Sequence, residues 1–174
     1  MGDGVEVRER RAQDLPLLAR VLAEQQPRSH YPLRWPLPFP VEEFLVRPGE
    51  LGAWVATRGD EVVGHASVLE PSPGPETDGW ERGTGLPADR LAVLAVLFVA
   101  TAVRGRGVGG RLMDTVTDRC RELGRMPVLD VVRTHTDASE VYRARGWQVV
   151  GEARPVWLPE DQDPVLLMAL PPAG

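Results

Sequence analysis

Four glycines and three arginines share the eight residues from Arg104 to Arg111, and no acid lies among them. Gly105, Gly107, Gly109 and Gly110 let a backbone come close to a ligand and turn its N–H groups inward. Arg104, Arg106 and Arg111 concentrate positive charge in a chain whose net charge is −5. Apolar residues then recur at Val108, Leu112, Met113, Val116, Cys120 and Leu123, the spacing of one helical face. A helix therefore opens inside the turn, and its N-terminus adds the positive end of a dipole. The chemistry this favours is an anion cradle, with a pyrophosphate as the best match. The alternative is a strand-to-helix turn that binds nothing, but such a turn seldom needs both residue types together.

The elements that must hold this turn are legible on both sides. Leu91–Val99 is an unbroken apolar run rich in Leu and Val, as expected of a strand buried on both faces. Gly124 follows the helix, where a residue free to adopt positive φ is favoured. A Walker A loop is excluded, because it requires a lysine and all twenty basic residues are arginine. Gly105, Gly107 and Gly110 formally match the dinucleotide fingerprint GxGxxG, and Asp130 lies at the expected distance beyond. Three features oppose that reading. Residues 100–104 separate the strand from the first glycine. Asp130 is followed by Val131 and Val132, so it sits within a strand. Too little chain follows to complete a doubly wound sheet.

The flanking chain reads as alternating short elements. Val5–Glu9 alternates apolar and charged residues and predicts a first strand. Asp14 is placed to cap a helix carrying Leu15, Leu17, Leu18, Val21 and Leu22, which Pro27 should end. Pro27–Pro40 is too rich in proline for regular helix and holds Tyr31, Trp35 and Phe39, either as a packed loop or as a substrate contact. Val41–Val46 predicts a short helix. Ala53–Thr57 and Val62–Leu69 predict two strands joined by a hairpin turn at 58–61. His65 lies in the second, where a structural role is commoner than a catalytic one. Glu70 ends that strand and is one of few acids near the expected centre of the sheet. Pro71–Asp89 reads as a long Pro/Gly-rich loop. Pro127–Arg133 predicts a strand, and Asp137 with Glu140 predicts a capping box opening a helix that Gly146 ends. Gln148–Trp157 and Pro164–Leu170 predict two closing strands around an acidic loop with Glu160, Asp161 and Asp163.

Composition narrows the classes. The 174 residues are 43 % hydrophobic and 26 % charged, which fits one globular domain over 1–174 with a sizeable core. The acidic pI of about 5.3 argues against a nucleic-acid partner. No apolar run is long enough for a membrane span, and no leader pattern is visible. Cys120, the single cysteine, falls on the apolar face of its helix and reads as a core thiol. A reducing cytoplasm is expected. The arginine, alanine, glycine, proline and valine bias suggests a GC-rich, bacterial genome. No metal-ligand spacing is present.

Two segments resemble the GNAT N-acetyltransferase superfamily. Its acetyl-CoA motif is an Arg or Gln, two residues, a Gly, one residue, then Gly or Ala, and here Arg104, Gly107 and Gly109 match directly after an apolar strand. Its second motif runs Asn, Ala, Tyr, Gly, Phe at fixed intervals, and the matching positions hold His135, Ala138, Tyr142, Gly146 and Trp147. His135 departs from the usual Asn, which puts its contact to the pantetheine arm in question. The resemblance implies an α/β (α+β) fold with a mixed, mostly antiparallel sheet of six or seven strands, about four helices, and two central parallel strands that splay apart. It implies acetyl-CoA as co-substrate, with its pyrophosphate on the backbone of Arg104, Gly105, Arg106, Gly107, Val108, Gly109 and Gly110. It implies that the backbone of Phe98 and Val99 pairs with pantetheine, that His135 contacts the same arm, and that a nearby N–H polarises the thioester.

The implied reaction is direct attack of a neutral amine on the thioester in a ternary complex, with Tyr142 protonating the departing thiolate. The strand 91–99 holds no carboxylate, so Glu70 acting through water is the first candidate base and His65 the second. Tyr31 and Trp35 line the expected acceptor groove, and the acids of 160–163 would attract a cationic amine. The acceptor would be a small-molecule or peptide amine, on a monomer or homodimer. A non-catalytic acyl-CoA-binding module on the same fold and a nucleotide-binding oxidoreductase are the competing functions.

Overall fold

The computed structural model describes residues 4–173. In chain order it contains β1 (Val5–Glu9), α1 (Leu15–Ser29), α2 (Val41–Leu45), β2 (Glu50–Arg58), β3 (Glu61–Leu69), α3 (Pro75–Thr84), β4 (Leu91–Val99), α4 (Val108–Glu122), β5 (Met126–Val131), α5 (Thr136–Ala144), β6 (Gln148–Ala153) and β7 (Val165–Ala169). The strands form a mixed sheet in the order β1-β2-β3-β4-β5-β7-β6. The pairs β1–β2, β2–β3, β5–β7 and β6–β7 are antiparallel, and β4–β5 is parallel. The chain forms two compact units, one holding the part up to Leu69 with Leu94–Asp118, the other Glu70–Val93 with the part from Arg119 onward.

The first unit is built on α1 and the β2–β3 hairpin. Leu18 and Leu22 of α1 are fully buried and meet Phe44, Leu45, Val55, Val62, Val96 and Phe98 in one core cluster. Pro27 does not end α1, contrary to the expectation from its missing N–H. Gln25 and Ser29 knit the last turn together instead. The Gln25 amide donates to the carbonyls of Leu22 (3.0 Å) and Tyr31 (2.6 Å), and Ser29 donates to Gln25 Oε1 at 2.6 Å. The helix runs two residues past Pro27 to Ser29 and closes at His30, in the left-handed conformation.

Asp14 precedes α1 but makes no side-chain cap to it. Its carboxylate is taken by Arg8, which donates Nη1 to Oδ2 and Nη2 to Oδ1, both at 2.8 Å, and by the Arg11 amide at 2.7 Å. The Arg8 hydrogen bonds hold the Asp14 pKa below the usual carboxylate range, against the opposing effect of burial. A depressed carboxyl pKa contributes stability above the ordinary value of about 4 and loses it as the pH falls through the folded value. Arg8→Met should therefore cost about 2 kcal/mol at neutral pH, by leaving a buried carboxylate short of its bidentate donor. Urea unfolding should show that deficit shrinking once acid protonates Asp14.

The second unit corrects a larger expectation. Pro71–Asp89 is not all loop, because α3 occupies Pro75–Thr84, one of five α-helices among the described residues. Pro75 stands in the first turn, Glu76 and Asp78 complement the positive end of the dipole, and Arg82 the negative end. Trp80 is buried and its indole N–H donates to the Leu129 carbonyl of β5 at 3.0 Å. The helix meets the β6–β7 hairpin through its glycines. A Cβ on Gly79 would lie 2.2 Å from Leu167 Cδ1, and one on Gly83 2.2 Å from the Val150 carbonyl oxygen.

Other boundaries move less. α5 begins at Thr136 with His135 as N-cap, so Asp137 lies in the first turn and the expected capping box does not open the helix. β6 ends at Ala153, short of Trp157, because Arg154 turns to bind the carbonyls of Pro159 and Gln162. On α4, Val108, Leu112, Met113, Val116 and Cys120 are buried as their spacing predicts, while Leu123 lies beyond the helix and is exposed. Burial pushes the Cys120 thiol up to about 12, consistent with a packing role.

Candidate active site

β4 supplies the backbone of the site. It pairs with β5 in parallel register, Leu91↔Met126, Ala92↔Pro127 and Val93↔Val128, and that register ends at Val93. From Leu94 the strand belongs to the first unit, where it lies beside β3. At Val96 its geometry changes. Val96 has φ +53, inside a strand and on a β-branched, buried residue. Such a conformation costs on the order of 1–3 kcal/mol and persists only where neighbours hold it.

Side chains of β3 hold it. Ser67 Oγ donates to the Ala95 carbonyl at 3.2 Å, and His65 Nδ1 is 2.8 Å from the Val96 carbonyl. In a regular strand, successive carbonyls face opposite edges. Here two in a row are held by β3, the mark of a bulge. Beyond it, the Ala100 amide donates to the Val63 carbonyl at 2.8 Å. A Cβ on Gly64 would lie 3.3 Å from the Phe98 carbonyl oxygen. The backbone of Phe98 thus faces β3, and alternation turns Leu97 and Val99 to the other edge.

The turn after β4 has left-handed glycines leading into a helix. A short 3-10 turn, Thr101–Val103, leads to Arg104. Gly105 and Gly107 both take left-handed conformations, φ +78 and +79, with open space where a Cβ would project. Arg104 and Arg106 are exposed beside them. The Arg111 amide makes a first-turn bond to the Gly107 carbonyl at 3.1 Å, so α4 starts at the last of these left-handed residues. The leading N–H groups of a helix have no acceptor within it, which suits an anion. A Cβ on Gly109 would meet only Val99 Cγ2 at 3.6 Å, an ordinary contact. Arg111 turns back to donate to the Val5 carbonyl at 2.6 Å, so its charge is tied to β1.

The remaining candidates fall in two groups. In the first unit, Tyr31 and Trp35 are half-buried and pack against the core cluster, Tyr31 with its ring 5.9 Å from Phe44. His65 is fully buried, with its ring stacked on Phe98 at 5.6 Å. Its Nε2 lies 3.0 Å from Arg10 Nη1. Burial, chiefly, pushes its pKa down to about 4, so it stays neutral where an exposed His would charge. Both ring nitrogens are engaged, so His65 is unsuited to the role of base.

In the second unit, Tyr142 is half-buried on α5 with its ring tilted 60° against Trp147 at a centroid distance of 5.8 Å. His135 is the N-cap residue of the same helix. Glu70 follows β3 by one residue, is exposed, and pairs with Arg125 at 3.4 Å. Arg125 also donates to the carbonyl of Leu91. Glu70 therefore stands at the opening residue of β4. Glu160, Asp161 and Asp163 are exposed. Among the described residues, no group of three or more metal-ligating side chains occurs, and no helix is long and apolar enough to cross a membrane.

The bulge at Val96 and its brace from His65 escaped the sequence reading. The signal that could have found them was His65 itself, since a polar ring in a buried strand requires a partner.

Comparison with known proteins agrees with this architecture. A GCN5-related N-acetyltransferase from Kribbella flavida superposes with a TM-score of 0.69 at 24 % identity, covering 96 % of each chain. An acetyltransferase from Corynebacterium glutamicum, described as histone acetyltransferase HPA2 and related acetyltransferase, gives 0.68 at 23 % identity over 98 % of each chain. Naa50 from Arabidopsis thaliana, in complex with the bisubstrate analogue CoA-Ac-MVNAL, gives 0.64 at 16 % identity, over 95 % of this chain and 97 % of that one. No curated protein sequence matches. The family model for the acetyltransferase (GNAT) family matches residues 15–147, well over half the chain. With its mixed sheet, its parallel β4–β5 pair and its left-handed glycine turn opening α4, the chain belongs to the GNAT acetyltransferase family.

Proposed function

We propose that this protein transfers an acetyl group from acetyl-CoA to an amine by direct attack in a ternary complex. The observation that carries the reading is the turn from Arg104 to Gly110. Its two left-handed glycines have open space at the Cβ position, and it leads into the N-terminus of α4. These residues fit a diphosphate, which needs close backbone approach and converging N–H donors. Acetyl-CoA supplies an activated acetyl thioester, and the chain supplies the rest. Arg104 and Arg106 attract the anionic end. Leu97 and Val99 offer the edge of β4 on which a pantetheine amide could add as a strand would. In this reading the Leu97 N–H polarises the thioester carbonyl as negative charge develops on it. Tyr142 donates its proton as the C–S bond breaks, a fair match between a phenol of pKa about 10 and a thiol of pKa about 8.5.

His135 takes the position the family gives to an Asn, and either ring nitrogen can donate to or accept from a pantetheine amide. Tyr31 and Trp35 present aromatic surface to the acceptor, and Glu160, Asp161 and Asp163 favour an amine over an acid. Glu70 reaches a proton of the attacking amine only through intervening water, given its pairing with Arg125 at the start of β4. An acceptor that arrives as the neutral amine requires no stronger base.

The test is a screen of amine acceptors, free amino acids, polyamines and peptides with free N-termini, following thiol released from acetyl-CoA. Acceptor-dependent release with equimolar acetylated amine is the expected result. Tight acetyl-CoA binding without turnover on any amine would favour the acyl-CoA-binding module, and absence of binding would remove the reading altogether.

A further inference from the structure

Arg10 leaves the end of β1 and enters the interior, its side chain only 9 % exposed. Its guanidinium donates to the Leu45 carbonyl at 3.0 Å and to Glu50 Oε1 at 2.6 Å, and it meets His65 Nε2 at 3.0 Å. A guanidinium can only donate, so Nε2 must carry the lone pair. The Val96 carbonyl on the other side of the ring can only accept, so Nδ1 must carry the proton. The two partners together leave His65 one tautomer and one orientation.

We propose that His65, locked by Arg10, is a positioning residue that sets the edge assignment of β4. This rests on the acetyl-transfer reading above. The ring pulls the Val96 carbonyl toward β3 while Ser67 holds that of Ala95, and the chain accommodates both by taking positive φ at Val96. A strand's side assignment flips with a one-residue slip. The brace therefore decides that Leu97 and Val99, not Phe98, present their N–H groups to the donor. His65 touches no substrate in this scheme. It works through the backbone of the neighbouring strand, and Arg10 works through His65. Glu50 in turn balances the charge of Arg10 at a site largely closed to water.

Two measurements test this. The first needs no ligand. Nitrogen NMR of the His65 ring at neutral pH should show a protonated Nδ1 and a bare Nε2, and the opposite tautomer or a doubly protonated ring overturns the brace. The second compares His65→Leu with His65→Asn, whose side-chain N–H can stand near the place of Nδ1–H. In His65→Leu, amide hydrogen exchange at Leu97 and Val99 should quicken about tenfold or more relative to β2. The carbonyl carbon resonance of bound [1-13C]acetyl-CoA should move upfield toward its value in free acetyl-CoA, as loss of a well-aimed donor requires. His65→Asn should restore much of both. Wild-type values in His65→Leu, or equal losses in both variants, overturn the proposal. If the leucine variant does not fold, the asparagine variant and the tautomer decide it. If wild-type protein binds no acetyl-CoA, the acetyl-transfer reading fails, and the tautomer and exchange results still report on the brace separately.

Discussion

Replacing Tyr142 by phenylalanine lowers acetyl transfer by about two to four orders of magnitude and leaves the affinity for acetyl-CoA within about twofold of wild type. The magnitude follows from what is removed. A thioester releases a thiolate, and a positioned O–H that protonates it lowers the barrier to departure. Without that proton the thiolate must leave as an anion or wait for water. The change is conservative in packing, because the ring of Tyr142 lies tilted on Trp147 and phenylalanine keeps that contact. Stopped-flow thiol release and calorimetric binding of acetyl-CoA, run on the same preparations, separate the two effects. A loss of binding parallel to the loss of turnover would make Tyr142 a packing residue, and unchanged turnover would assign the acid elsewhere.

The second large effect concerns the turn. Gly107→Val places a β-branched residue at φ +79, which costs on the order of 1–3 kcal/mol of backbone strain even though nothing crowds the new side chain. The chain escapes that strain by rotating the very peptide units proposed to hold the diphosphate. Affinity for acetyl-CoA should therefore fall by about a hundredfold, and coenzyme A should lose the same factor, because the acetyl group is not involved. Gly109→Ala is the matched control. Gly109 lies in the first turn of α4 and a methyl there makes only an ordinary contact with Val99. Alanine at that position should leave affinity within a few-fold and raise thermal stability slightly, since alanine is the better helix former. If the two substitutions weaken binding equally, the backbone geometry of the turn is not what grips the anion.

The turn was also the most legible part of the sequence, and the reason is locality, whereas Tyr142 stood out only through the family resemblance. A glycine and arginine turn, an apolar strand before it and an amphipathic helix behind it each declare themselves within a few residues. α3 did not, because its packing face is made of Gly79 and Gly83 and carries almost no apolar signal apart from Trp80. A helix that packs by absence of side chain has no hydrophobic period to read. Pro27 misled for a related reason. The Gln25 and Ser29 bonds that carry α1 past it involve a carbonyl six residues away, at Tyr31. The bulge at Val96 is further from local reach still, since one valine in a run of leucines and valines gives no sign of its φ angle. Only a partner 31 residues earlier, His65, explains it.

The glycine seam of α3 sets a limit on how this half of the molecule can vary. Gly79 and Gly83 are one helical turn apart and form a smooth track on which Leu167 and Val150 rest. Even a methyl group at either point acts as a wedge under the hairpin, while Asp78 and Arg82 beside them face solvent and accept wide replacement. Sequence drift along this helix is thus channelled to its outer side, and the inner track is kept bare by geometry.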